Sequence, residues 1–140
     1  MILISHRGNT KGPNKEKENH PDYIEKALRK NYDVEIDIWA NSKVWLGHDE
    51  PQYECNFSFL MNNYKKLWIH CKNLEALDLL DHFQVFNYFW HQKDDFTLTS
   101  KNFIWTYPKK NVCSRSVLVV ENAKKYTGPD CFGLCSDYIE

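Results

Sequence analysis

The sequence predicts an α/β fold: a compact or incomplete (β/α) barrel, with a plain open α/β sheet as the alternative. Three observations point there. Short apolar strands alternate with helical segments, the pattern of βα units and a largely parallel sheet. Titratable residues collect where those strands end, which is where active sites lie in α/β barrels. The chain, 140 residues read as a single domain over 1–140, is far shorter than the ~250 residues of a full eight-unit barrel, so some units must be cut down.

The elements follow in order. Residues 1–6 are a strand that runs directly into His6-Arg7-Gly8. Residues 9–20 are rich in Asn, Lys, Gly and Pro and read as a loop. Pro21 suits a first helical position, where its missing N–H costs nothing. Tyr23, Ile24, Ala27 and Leu28 then recur at helical spacing up to Lys30. Residues 33–39 alternate strictly, and 43–48 form another short strand ending at His48. Residues 57–64 read as helix, 67–71 as strand, and 74–83 as a helix with Leu74, Leu77 and Leu80 on one side. Strands follow at 86–90, 103–107, 116–120 and 131–135. Residues 97–101 make at most one helical turn and 121–126 a short helix. No repeat or low-complexity tract interrupts the pattern.

Four of the six histidines, His6, His48, His70 and His91, end apolar strands. One such histidine is usually structural; the set points to a site, because perturbed titratable groups gather there. Glu35 and Asp37 stand two apart in a strand, so both project from one face while Val34, Ile36 and Ile38 take the other. Side by side, the two carboxylates repel and one is pushed toward protonation. A divalent cation removes the conflict, and oxygen ligands suit Mg²⁺ or Ca²⁺. Trp105 and Tyr107 are either the wall of a substrate cleft or ordinary packing residues.

The run Ile4-Ser5-His6-Arg7-Gly8, then Glu18-Asn19, Glu35-Ile36-Asp37 and His48-Asp49, resembles the ordered motif set of the glycerophosphodiester phosphodiesterase family. That family belongs to the phosphatidylinositol-phospholipase-C-like phosphodiesterase superfamily. Each triplet is weak alone; the order and spacing make the set specific. The resemblance implies a TIM-like barrel and one divalent cation, Mg²⁺, Mn²⁺ or Ca²⁺. It implies Glu35 and Asp37 as metal ligands, and His6 and His48 as an acid/base pair. The reaction expected is hydrolysis of a small-molecule phosphodiester, with a neighbouring hydroxyl of the substrate as a possible nucleophile.

Arg7 and Lys72 are expected to neutralise phosphoryl charge, His91 to add a phosphate contact, and Glu18 and Asn19 to orient the site. Family members carry a glutamate two residues before a lysine on the third strand. Here the run is Leu67-Trp68-Ile69-His70-Cys71-Lys72, so Lys72 fits and His70 stands in the glutamate's place. Its imidazole either ligates the metal, shifting preference from Ca²⁺ toward Mn²⁺, or binds phosphate. The alternatives are a non-catalytic phosphate-ester-binding domain and a head-group phospholipase of the same superfamily.

Composition narrows the partners. With 18 basic and 19 acidic residues the net charge is −1, which offers no dense basic surface for nucleic acid. No apolar run is long enough to span a membrane, and no amphipathic docking helix stands out. The apolar start turns polar too soon for a signal peptide. Five cysteines in no metal-binding spacing read as free thiols in a reducing, cytoplasmic setting.

Overall fold

The computed structural model describes all 140 residues. They form a mixed α/β architecture, a ten-stranded, mostly parallel sheet with few helices. The order is β1 (Ile2–His6), α1 (Pro21–Arg29), β2 (Asp33–Ala40), β3 (Val44–Leu46), β4 (Tyr53–Cys55), α2 (Phe57–Asn63) and β5 (Leu67–Cys71). Then come α3 (Leu74–Phe83), β6 (Asn87–Phe89), β7 (Phe96–Leu98), β8 (Ile104–Thr106), β9 (Ser116–Val119) and β10 (Gly133–Ser136). No helix is long and apolar enough to cross a membrane. All five cysteines are free thiols.

Local chemistry explains the helices. α1 starts at Pro21, with the His20 ring accepting from Asp22 N, an acidic residue in its first turn and Lys26 and Arg29 in its last. α3 is capped by Asn73, whose side chain accepts from Ala76 N at 3.1 Å and also clasps both main-chain groups of Ala40 at the end of β2.

Seven strands run parallel in the order β6-β5-β2-β1-β10-β9-β8. The β3–β4 hairpin hangs antiparallel on the far half of β2, and β7 lies antiparallel to β8. The first strand pairs with the last, Ile4 opposite Cys135. The two ends of the order also meet. Ser100 N donates to Tyr88 O at 2.8 Å, and Phe89 of β6 stacks on Trp105 of β8 with ring centroids 4.6 Å apart. The sheet is therefore curled on itself.

Each face has its own core. Under the helices, Val34, Ile36, Ile38, Leu67, Ile69 and Cys71 pack against Ile24, Ala27, Leu60, Ala76 and Leu80. On the opposite face, Ile4, Trp68, Phe89, Trp105, Val117 and Cys135 form one cluster, each from a different parallel strand. Trp105 is thus a packing residue, although its edge also reaches the cleft described below.

The alternation read from residues 33–39 holds, and β2 runs one residue further. Elsewhere the structure departs from expectation. Residues 96–98 are a strand, not part of a helical turn; they become one only through pairing with β8, a tertiary effect that local propensity does not report. The helix expected at 121–126 shrinks to one 3₁₀ turn at Ala123–Lys125, capped by Asn122. In α3 it is Ala76 and Leu80 that are buried, while Leu74 is exposed. β3 ends at Leu46, so His48 sits in the following turn, and β4 is an additional strand.

Gly8 governs the approach of α1 to the end of β1. Its φ is 92°, and a Cβ there would lie 2.8 Å from Tyr23 Cδ1 and 3.2 Å from the Tyr23 carbonyl carbon. Gly8→Ala is therefore expected to destabilise the fold by more than ~1 kcal/mol, read as a lowered urea midpoint at unchanged slope.

Candidate active site

The site lies where the parallel strands end. Glu35 and Asp37 project from β2 on the face away from the helices, with side chains 3% and 0% exposed. β5 pairs in register with β2, setting His70 opposite Asp37. The His70 Nδ1 is 3.1 Å from Asp37 Oδ1 and 3.9 Å from Glu35 Oε1. Ligand atoms of all three residues fall within 4.8 Å of one another. Neither Glu35 Oε2 nor Asp37 Oδ1 has a hydrogen-bond partner; the short Nδ1 contact lacks hydrogen-bonding geometry. Buried anionic oxygens left open in this way are costly unless a cation is present. The donor set, two carboxylates and an imidazole, therefore fits a divalent metal.

A fixed frame holds the carboxylates. Asn19 Nδ2 donates to Asp37 Oδ2 at 2.8 Å and Asn19 Oδ1 accepts from Asp37 N at 3.0 Å. The Arg7 Nε lies 3.1 Å from Asp37 Oδ2, an ion contact off the hydrogen-bond direction. Arg7 Nη1 donates to Glu18 Oε2 at 3.2 Å. Arg7 and Asn19 both have positive φ, 55° and 63°, and are tied to each other by Asn19 N donating to Arg7 O. Non-glycine residues in that region cost of order 1–3 kcal/mol and cluster at functional sites. Glu18 thus orients Arg7, and Asn19 orients Asp37.

The electrostatics follow. Burial and then the Asp37 charge push the Glu35 carboxyl above the usual range. Burial alone would raise Asp37 too, but with no cation bound a protonated His70 beside it, Arg7 and the Asn19 amide outweigh it and hold it at about 2. His6 hydrogen-bonds through Nδ1 to Asp137 Oδ1 at 2.8 Å, with Nε2 3.8 Å from Glu35 Oε2. Burial opposes charge on this ring, yet Asp137 and Glu35 raise its pKa above the ordinary histidine value.

His6, Arg7, Glu35, His48, His70, Lys72 and His91 line one cleft of about 330 Å³, with Trp105 and Tyr107 in its wall. His48 and Arg7 also border an adjoining cleft of about 480 Å³ that has no hydrophobic lining residue. Compared with protein-family models, curated proteins and solved structures, the chain matches none.

All the residues singled out in the sequence thus reach one region, though not all as expected. His91 uses Nε2 on Asp94 O at 2.7 Å and stacks on Tyr107; its main-chain oxygen accepts from His70, and the two rings meet edge-on with centroids 6.3 Å apart. His48 is half-exposed and bound through Nδ1 to Asp49 Oδ1 at 2.8 Å. Its turn is fastened beside Asp37, with Gly47 N donating to Asp37 O and Gly47 O accepting from Trp39 Nε1.

Two site residues escaped the sequence reading. Asp137 follows β10, and buried Asn9 donates to both Asp137 Oδ1 and Glu18 Oε1, at 2.8 and 3.0 Å. The available signal was positional, since a carboxylate just past the last strand obeys the same strand-end rule as the histidines.

Asn19→Ala strips Asp37 of a donor and an acceptor in a buried setting. A loss of about 1–3 kcal/mol or more is expected, measured by urea unfolding. Glu25→Ala, which breaks only the exposed pair with Arg29 at 3.0 Å, is expected to change stability by less than ~0.5 kcal/mol.

Proposed function

We propose that this chain is a divalent-metal-dependent phosphodiesterase of the glycerophosphodiester phosphodiesterase type, on a compact (β/α) barrel. One observation carries the reading: two buried carboxylate oxygens lack hydrogen-bond partners, Glu35 Oε2 in a residue that lines the same cleft as His6, His48, Arg7 and Lys72, and Asp37 Oδ1 behind it, 3.1 Å from the cleft-lining His70. The pairing of first and last strands and the meeting of the sheet's two ends support the barrel. The motif order supports a small phosphodiester as substrate and a cytoplasmic setting is in keeping with the free thiols.

Glu35, Asp37 and His70 would hold the divalent cation, which when bound would supply Lewis-acid stabilisation of a phosphoryl oxygen. The chain's own groups do the rest. Arg7 and Lys72 neutralise negative charge that grows on the phosphoryl group. His6 is held by Asp137 through Nδ1, which leaves Nε2 as its proton-transferring atom. His48, held by Asp49 through Nδ1, is arranged the same way. In-line displacement takes a proton from the entering hydroxyl and delivers one to the departing alkoxide, and two imidazoles on separate elements serve the two oxygens. One gains the proton that the nucleophile loses; the other loses the proton that the leaving group gains.

His6→Ala and His48→Ala are each expected to slow hydrolysis of an unactivated diester by roughly 10²–10⁴, with KM little changed. A nitrophenyl ester, whose leaving group needs no proton, should rescue only the variant lacking the general acid, which assigns the two roles. His82→Ala, on α3, is the neutral control. Near-wild-type turnover in both variants would favour the non-catalytic phosphate-ester-binding reading.

Metal dependence is tested separately. Chelation with EDTA is expected to abolish hydrolysis and added Mn²⁺ or Mg²⁺ to restore it. Full activity in metal-stripped protein would sink the role given to Glu35 and Asp37.

A further inference from the structure

His70 is oriented by the segment that follows β6. Its Nε2 lies 2.7 Å from the main-chain oxygen of His91. A carbonyl only accepts, so Nε2 carries the hydrogen. The ring lies flat on Phe89, 5.3 Å between centroids and 6° between planes, and is 14% exposed. Nδ1 is thereby directed at the β2 carboxylates. Yet Asp37 Oδ1, at 3.1 Å, receives no hydrogen bond, and neither does Glu35 Oε2. An imidazole that donates one nitrogen to a backbone carbonyl and turns the other toward open carboxylate oxygens has the second-sphere arrangement of a metal-bound histidine.

We propose that Glu35, Asp37 and His70 form a mixed oxygen–nitrogen centre, His70 binding through Nδ1, that takes a transition-metal ion such as Mn²⁺, Co²⁺ or Zn²⁺ in preference to Ca²⁺ or Mg²⁺. This rests on the metal centre of the proposed function and specifies its occupant. Ca²⁺ collects six to eight oxygens and Mg²⁺ holds oxygens and water. For both, a neutral nitrogen is a poor replacement for a carboxylate. Imidazole suits the borderline ions, and a site with one anionic ligand fewer attracts hard cations less.

The test uses metal-stripped full-length protein titrated separately with Mn²⁺, Co²⁺, Zn²⁺, Mg²⁺ and Ca²⁺ by calorimetry. Histidine ring ¹⁵N signals are followed by NMR with Zn²⁺. Nitrogen- and oxygen-donor sites in general favour the later transition ions, so the change on substitution decides more than the ranking does. Wild type is expected to bind Co²⁺ about tenfold or more tighter than Ca²⁺, and His70→Glu to narrow that ratio by about tenfold or more. Zn²⁺ should shift the His70 Nδ1 signal and leave the Nε2–H signal in place.

An unmoved Nδ1 signal with Zn²⁺ bound, or an unchanged ratio in folded His70→Glu, overturns the inference while leaving a metal centre on Glu35 and Asp37. Absence of binding by every ion overturns the metal centre and the proposed function with it. Should His70→Glu fail to fold, the wild-type NMR experiment decides alone.

Discussion

Two carboxylates buried side by side on β2 are the constraint around which the rest of the site is arranged. Neither charge is tolerable there alone. Asp37 receives the stronger compensation: a guanidinium, an imidazole and an amide surround it. Glu35 receives the weaker, with histidine nitrogens only at 3.8 and 3.9 Å. The two acids are driven apart accordingly, Asp37 down and Glu35 up. The αL conformations of Arg7 and Asn19 belong to the same arrangement. They turn the chain after β1 and before α1 so that guanidinium and amide converge on one carboxylate.

A curled sheet made from so short a chain must fill its inner face without help from a complete outer layer. Trp68, Phe89 and Trp105, with Phe103 and Phe132 against them, do this with a few large rings in tilted, edge-on and stacked contacts. The outer layer is thinned on one side. The three helices cover β2, β5 and their neighbours. Around β9 and β10, Leu118, Cys131 and Leu134 are covered by loop residues such as Val112, Val120 and Tyr126. Economy in helices is therefore matched by bulk inside.

Much of this was legible in the sequence, for physical reasons that differ by element. Residues 33–39 show strict alternation because β2 separates a helix-covered face from a polar one. Pro21 and the apolar spacing after it mark α1 because cap and amphipathic face agree. What was not legible depends on distant partners. Phe96–Leu98 form a strand only because β8 lies alongside, and His48 lies beyond β3 because Gly47 turns sharply; a Cβ there would sit 2.0 Å from Glu50 O. Likewise, nothing local to Asp137 indicates that its neighbour in space is His6, 131 residues away in sequence.

That long-range pair explains how two chemically similar histidines come to differ. Across the adjacent strands β10, β1, β2 and β5, the site reads Asp137, His6, Glu35 with Asp37, and His70. Each imidazole is fixed from its outer side, His6 by Asp137 and His70 by the His91 carbonyl. Each then turns its remaining nitrogen inward, and the two oxygens of Glu35 face one nitrogen each. The symmetry ends there. His70 is anchored to a neutral acceptor, packed on Phe89 and brought close to Asp37 as well, which suits a ligand that must stay still. His6 is anchored to a carboxylate that stabilises its charged form, stands farther from the β2 acids and opens onto the cleft. Those are the properties a group needs if it is to accept and return a proton.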